Sequence, residues 1–286
     1  MWCAPRARFI LFTVRKMHLR AQDALQVRSG VWKDPWVPIR IKTSTTNSCD
    51  SRRHCGFFWR CAVNSLDGAF GCKNDALTFA HVNALAEETV PAAVKLHADR
   101  PFVQPLEGPL IVPPFATSSV CSWFTVRAGH CSAGVADSDM VLYVAVAPGG
   151  VWALRCATLE DGRPVVVVMN IAPAVLFHGR LATRIVAHLL AHALGFTYPH
   201  MAGRSVVRNV AGVRGRALLV VVHSATSAMA AREQHDCDNI DGMELQEDNG
   251  DGRTLESHWS RRHARDEWMS PIGGAGCCRG SAPHLT

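Results

Sequence analysis

Two histidines four residues apart, His188 and His192, place the strongest constraint on how this chain can fold. The preceding run, Leu181–Ala187, has apolar residues at helical intervals, which predicts a helix near residues 181–194. Residues i and i+4 of a helix lie on one face about one turn apart, so both imidazoles can reach one metal ion. A third ligand from elsewhere in the chain would complete a catalytic zinc site with one open position.

The histidine pair alone is weak evidence, because the chain has 14 histidines among 286 residues. At that frequency chance gives roughly 0.7 pairs with this spacing, so a structural pair is the alternative. The flanking sequence adds weight to metal binding. Gly195 stands three residues after the second histidine, where the zinc helix of metzincin proteases ends.

The residue after the first histidine departs from the metalloprotease signature H-E-x-x-H. In that signature the histidines bind Zn²⁺ and the glutamate takes a proton from the metal-bound water, whose pKa falls to roughly 7. Leu189 occupies the glutamate position and can neither give nor take a proton. General acid–base catalysis contributes roughly 10²–10⁴-fold in rate, so we expect a zinc site without an intact catalytic residue.

Blocks of sequence on both sides of this helix resemble the leishmanolysin family, the surface metalloproteases of trypanosomatid parasites. The blocks follow the family's order and are Trp36–Ile41, Asp137–Ala145, Cys156–Ile171, Asn209–Gly215, Ala231–Asp238, Glu256–His258 and Asp266–Pro271. The resemblance covers roughly residues 30–278. It implies an α+β fold, a metzincin-like zinc metalloprotease catalytic domain with a mixed twisted sheet plus active-site helix, truncated after the Met-turn.

The resemblance also implies the rest of a site for one zinc ion. This family inserts a long segment before its third histidine, and by the match His258 is the third ligand. Met269 matches the methionine of the Met-turn beneath the metal. Two nearby histidines, His200 and His263, remain alternatives to His258.

Eleven cysteines are many for a cytosolic chain of this size and indicate an oxidising compartment. The resemblance implies two disulfides, one between Cys55 and Cys72 and the other between Cys121 and Cys156. Cys237 resembles a family cysteine whose partner lies farther along the chain than Thr286. We therefore expect Cys237 to be unpaired.

The predicted organisation has three parts. Residues 1–34 are interpreted as a leader or remnant pro-segment, and residues 35–197 as an amino-terminal catalytic subdomain that ends in the zinc helix. Residues 198–286 are interpreted as the insertion, the third zinc ligand and the Met-turn, and we expect the carboxyl-terminal domain of the family to be absent. Strands are predicted near 37–43, 140–147 and 165–171, and helices near 76–98 and 225–236. Pro91 should kink or split the first of these helices.

Composition and charge narrow the function classes. The net charge of +6 is mild and forms no basic stripe, which argues against nucleic-acid binding. No run of 18 apolar residues predicts a membrane span. The resemblance implies a cell-surface or secreted protein, yet neither a clear signal peptide nor a GPI signal is expected in this chain, so its location stays open.

Three interpretations of function follow. The first is a zinc metalloendopeptidase that hydrolyses bonds in peptide or protein substrates, as the ordered family blocks favour. The second is a non-catalytic zinc-binding paralogue, a pseudoenzyme acting in cell adhesion or peptide binding. The third is a decayed gene fragment, and Leu189 together with the extra cysteines favours the last two. The oligomeric state is left open.

Overall fold

The computed structural model describes residues 36–49, 62–65, 68–71, 77–148, 150–211, 218–246, 257–264 and 267–271. These residues fall into two compact units, one with the described residues up to Ala193 and the other with those from Leu194 onward. Both units mix helices and strands, as expected for an α+β protein. Within the described ranges, no helix has the length and apolar character needed to cross a membrane.

The first unit contains most of the strands. They are β1 (Val37–Pro38), β2 (Ile41–Ser44), β3 (Ala62–Ser65), β4 (Gly68–Gly71), β5 (Phe102–Val103), β6 (Met140–Val146), β7 (Trp152–Thr158) and β8 (Pro164–Ile171). Its helices are α1 (Phe79–Ala84), α2 (Val90–Ala98), α3 (Ala128–Ser132) and α4 (Gly179–Leu194). Short 3-10 segments are Thr46–Cys49, Val120–Trp123 and Pro173–Phe177.

A four-stranded mixed sheet forms the centre of this unit, in the order β2-β6-β8-β7. Strands β2, β6 and β8 run parallel, and β7 pairs antiparallel with β8. Every residue of β6 and β8 is buried, which matches their continuous apolar sequences, because central parallel strands are covered on both faces. The strands predicted near 140–147 and 165–171 are confirmed.

The strand predicted near 37–43 is instead two short strands. β1 pairs antiparallel with β5, whereas β2 pairs in parallel with β6. Pro38 stands at the break, and it has no N–H to donate to a continuing ladder. The chain therefore changes its partner strand between residues 38 and 41.

The helix predicted near 76–98 begins one residue after Thr78, which forms a capping box with His81. The side-chain oxygen of Thr78 accepts from the backbone N–H of His81, and His81 Nδ1 accepts from that of Thr78. A π-helical turn, Leu85–Thr89, separates α1 from α2 just before Pro91. A proline has no N–H for the regular ladder, so the predicted interruption near Pro91 is confirmed.

The second unit has a smaller antiparallel sheet and three helices. Its strands are β9 (Val207–Ala211), β10 (Leu218–Val222) and β11 (Met243–Glu244), in the order β11-β10-β9. Its helices are α5 (Tyr198–Gly203), α6 (Ala225–His235) and α7 (Arg261–Ala264). The helix predicted near 225–236 is confirmed; Ser224 caps its start, and Asp236 ends it in a left-handed conformation with φ of 49°.

The fully buried carboxylate of Asp139 connects separate parts of the first unit at the start of β6. It accepts hydrogen bonds from Arg40 Nε at 2.9 Å, from the Arg40 backbone N–H at 3.0 Å and from the Leu106 backbone N–H at 2.8 Å. Burial raises the pKa of Asp139, but the hydrogen bonds from Arg40 and Leu106 outweigh burial and hold that pKa below its ordinary value.

Replacing this carboxylate should destabilise the first unit. We expect Asp139→Asn to lower the free energy of unfolding by about 2–3 kcal/mol, because a charged acceptor with several donors is lost. Urea unfolding at pH 7 measures the change. Asp137→Asn is the matched control, since Asp137 is 85% exposed and lies 3.7 Å from Arg40 Nη1. An equal loss in both variants would contradict the role of Asp139.

The same carboxylate predicts a dependence on acid. Because the pKa of Asp139 is lower in the folded state than in the unfolded state, its ionised carboxylate stabilises the fold. This contribution is fully present above the unfolded aspartate pKa of about 3.9, and it is lost as the pH falls through the lower pKa of the folded state. Urea unfolding of the wild type and Asp139→Asn from pH 7 to pH 2 should therefore give curves that converge only below about pH 4. Convergence already near neutral pH would contradict this assignment.

Candidate metal centre

Helix α4 carries the histidine pair, and half of its residues are buried. Its buried apolar residues are Ala182, Ile185, Val186, Ala187, Leu189, Leu190 and Ala193. The helix ends at Leu194, and Gly195 follows it, as the sequence pattern predicts. His188 is buried and His192 is half-buried, so helical packing restricts both rings.

The two imidazoles face each other through their Nε2 atoms. These atoms lie 3.0 Å apart, and the rings are nearly perpendicular at 87° with centroids 4.6 Å apart. Two ring nitrogens at this distance either share a proton or bind one cation. A tetrahedral zinc ion with bonds of about 2.05 Å separates its nitrogen ligands by about 3.3 Å, so the pair fits zinc after a shift of a few tenths of an ångström.

Leu189, at the position of the expected glutamate, is packed inside the protein with 7% of its surface exposed. Its side chain has no group that could accept a proton or a hydrogen bond. The pair His188 and His192 thus keeps the donors that a metal needs, while the position between them supplies only apolar surface.

Gly195 ends the helix with φ of +122°, in a region that L side chains rarely adopt. A Cβ added there would lie 2.7 Å from Cδ2 and 2.9 Å from Nε2 of His200. The imidazole of His200, one of the alternative third ligands, therefore lies directly against the glycine backbone. Both the conformation and this close approach require glycine.

His258 lies in the second unit and is 5% exposed. Its carbonyl accepts a hydrogen bond from the Gln246 N–H at 2.8 Å. The next residue, Trp259, donates its N–H to the carbonyl of Met269 at 2.7 Å and packs edge-on against Phe196. Backbone hydrogen bonds thus join the segments that contain His258 and Met269, the residues matched to the third ligand and the Met-turn.

The side chain of His263 is outside the described residues, as are Cys55 and Cys72. The structure contains the disulfide between Cys121 and Cys156, which connects the 3-10 turn at Val120–Trp123 to β7. The expectation for Cys237 was wrong, because Cys237 is disulfide-bonded. Folding supplies a bonding partner that sequence resemblance does not identify.

One residue near the site has no recognisable signal in the sequence. His97 on α2 donates from Nε2 to the carbonyl oxygen of Ala187 at 2.8 Å, and Ala187 directly precedes His188. Ninety positions separate the two residues, and a histidine on a helix has many ordinary roles. Only the tertiary fold brings them together.

Comparisons with known proteins give a consistent result. Residues 12–280 match the family model described as Leishmanolysin. Leishmanolysin of Leishmania major is 36% identical over 257 residues, which cover 87% of this chain and 42% of that protein. Leishmanolysin of Leishmania chagasi is 34% identical over 84% of this chain and 41% of that protein. The leishmanolysin homolog of Crithidia fasciculata is 33% identical over 84% of this chain and 37% of that protein. The chain spans about two fifths of the length of the first of these relatives.

The close approach at the end of α4 predicts a local cost of substitution. Gly195→Ala should lower the free energy of unfolding by about 1–3 kcal/mol, because it strains the backbone and clashes with His200. Gly203→Ala is the control, since its added Cβ meets nothing within 4 Å. Chemical denaturation of both variants measures the difference, and a neutral Gly195→Ala would refute the geometric argument.

Proposed function

This chain belongs to the leishmanolysin family of metzincin zinc metalloproteases, and from that membership we propose that it binds one zinc ion but hydrolyses peptide bonds poorly. The observation that carries the proposal is the contrast within α4. His188 and His192 present facing nitrogens, whereas the general-base position holds the buried Leu189. Peptide or protein ligands and a location at the cell surface or outside the cell are part of the same proposal.

The proposed ligand set is His188, His192 and His258. The facing Nε2 atoms of the first two support it, and so does the burial of His258, because buried histidines keep a fixed orientation. The family resemblance, which matches His258 to the third ligand, completes the proposed set. Three histidines with one open position are the donor set of catalytic zinc sites. Met269 is proposed as the Met-turn residue.

Bound zinc would supply a Lewis acid that polarises a carbonyl and lowers the pKa of water. The protein's own residues then decide how far hydrolysis proceeds. His188 and His192 offer neutral nitrogens and orient the open position, and neither is free to act as a base while it is a ligand. Leu189 cannot remove a proton from the attacking water, so the step that glutamate normally assists has no acceptor at that position.

The same observation favours a second function, the binding of peptides without cleavage. An apolar side chain at residue 189 leaves the facing nitrogens of both histidines in place and lacks the carboxylate that catalysis would need. A zinc-binding protein of this kind could hold a peptide carbonyl at the open position, as expected for a paralogue that acts in adhesion or peptide capture.

Restoring the base should separate these functions. We expect the purified wild type to bind zinc with a stoichiometry near one and to cleave casein very slowly. Leu189→Glu should raise cleavage by roughly 10²–10⁴-fold, because it returns the proton acceptor. Leu189→Gln is the matched control, since the glutamine side chain has nearly the same shape as glutamate and cannot act as the base.

Other results of the same experiment distinguish an active enzyme, a peptide-binding protein and a decayed fragment. His188→Ala should abolish zinc binding in both backgrounds. Robust wild-type cleavage that chelators and His188→Ala remove would overturn the impairment. Zinc binding without cleavage in Leu189→Glu would favour peptide binding, whereas the absence of both zinc and cooperative unfolding would indicate a decayed fragment.

A further inference from the structure

The imidazole of His97 contacts the metal-binding helix near its middle. His97 is half-buried on α2, and its Nε2 lies 2.8 Å from the carbonyl oxygen of Ala187. A backbone carbonyl can only accept, so Nε2 carries the hydrogen and donates it. The acceptor belongs to the residue that immediately precedes His188.

This contact uses the second lone pair of a carbonyl inside a helix. In α4 the Ala187 carbonyl is the regular partner of the N–H four residues later, and one lone pair remains for another donor. Ala187 is fully buried, so water does not reach it to take this role. His97 therefore restrains the interior of α4 and not one of its frayed ends.

Helix α2 is itself well anchored. Val90 and Ala93 are fully buried, and α2 packs against β2 of the central sheet. A hydrogen bond from such a helix limits both sliding and rotation of α4 at Ala187. His188 and His192 follow one and five residues later, so their nitrogens move with that point.

His97 acts as an uncharged donor. Burial lowers its pKa, the hydrogen bond to Ala187 partly offsets this effect, and Arg100 lowers it further, so the net pKa lies below the ordinary value. At neutral pH the ring accordingly adds no positive charge beside the site. This suits a contact that holds a helix next to a bound cation, because a charged ring would repel the metal.

We infer that His97 is a positioning residue, which holds α4 so that His188 and His192 present their nitrogens to one metal ion before the metal arrives. The inference rests on the proposed function, because it concerns the same site. Ligand groups must be held within about 0.5 Å of their working positions, and supporting hydrogen bonds provide that precision. Loss of a hydrogen bond to the ligand itself typically weakens metal binding about 10–100-fold, so we expect the lower end of that range for this less direct contact.

Two His97 variants and one control test this inference. His97→Leu removes the donor, whereas His97→Gln keeps an amide N–H near the place of Nε2. His130→Leu is the control, since His130 hydrogen-bonds Tyr143 at 2.7 Å in the same unit and not α4. Each folded protein is measured for zinc affinity by competition with a chromophoric chelator, for the absorption spectrum of its cobalt(II) form, and for amide hydrogen exchange over residues 185–194 of the metal-free protein.

We expect His97→Leu to weaken zinc binding about tenfold, to change the cobalt spectrum and to speed exchange in α4 about tenfold, because the helix loses its restraint. His97→Gln should stay within about threefold of the wild type in each measurement, since it keeps the donor. His130→Leu should lower the free energy of unfolding and leave all three measurements unchanged.

Three results would overturn the inference. The first is a His97→Leu protein that is less stable but keeps wild-type zinc affinity and exchange, and the second is a His97→Gln protein that behaves like His97→Leu. If the wild type binds no zinc, the proposed function fails, and only hydrogen exchange in the metal-free proteins tests the inference. The third overturning result is then equal exchange in the wild type and His97→Leu. Faster exchange in His97→Leu, with wild-type exchange in His97→Gln, supports the inference.

Discussion

Burial of the two central parallel strands on both faces is the constraint on which the first unit depends. Strands β6 and β8 expose essentially no surface, so each face of the sheet must be covered by other parts of the chain. One face packs against a cluster built from distant loops, which includes Leu110, Val112 and Phe124. Loops that would otherwise lie free on the surface are thereby drawn over the sheet.

Buried polar groups then determine where those loops lie. The Asp139 carboxylate holds the segments of Arg40 and Leu106, and Asn47 exchanges hydrogen bonds with the backbone of Thr125. Each of these groups would be costly to bury without its partner, so the pairing favours a single arrangement of the chain. The Cys121–Cys156 disulfide acts in the same direction by a covalent bond.

Metal binding and hydrolysis place separate demands on α4. Binding needs two nitrogens at a set distance, which the helix period supplies for residues four apart. Hydrolysis needs a proton acceptor beside them, which depends on a single side chain. A substitution at residue 189 can therefore remove one property and leave the other, and this separation makes a zinc-binding protein with little activity physically reasonable.

Local patterns in the sequence were enough to predict β6, β8, α4 and α6, because continuous apolar runs and helical periodicity act over a few residues. The histidine spacing, Gly195 and Leu189 were also evident from the sequence, as was the family. Tertiary structure alone decided the break between β1 and β2, the disulfide of Cys237 and the contact of His97 with Ala187. These features depend on groups far apart in the chain, whose meeting follows from packing and not from any local preference.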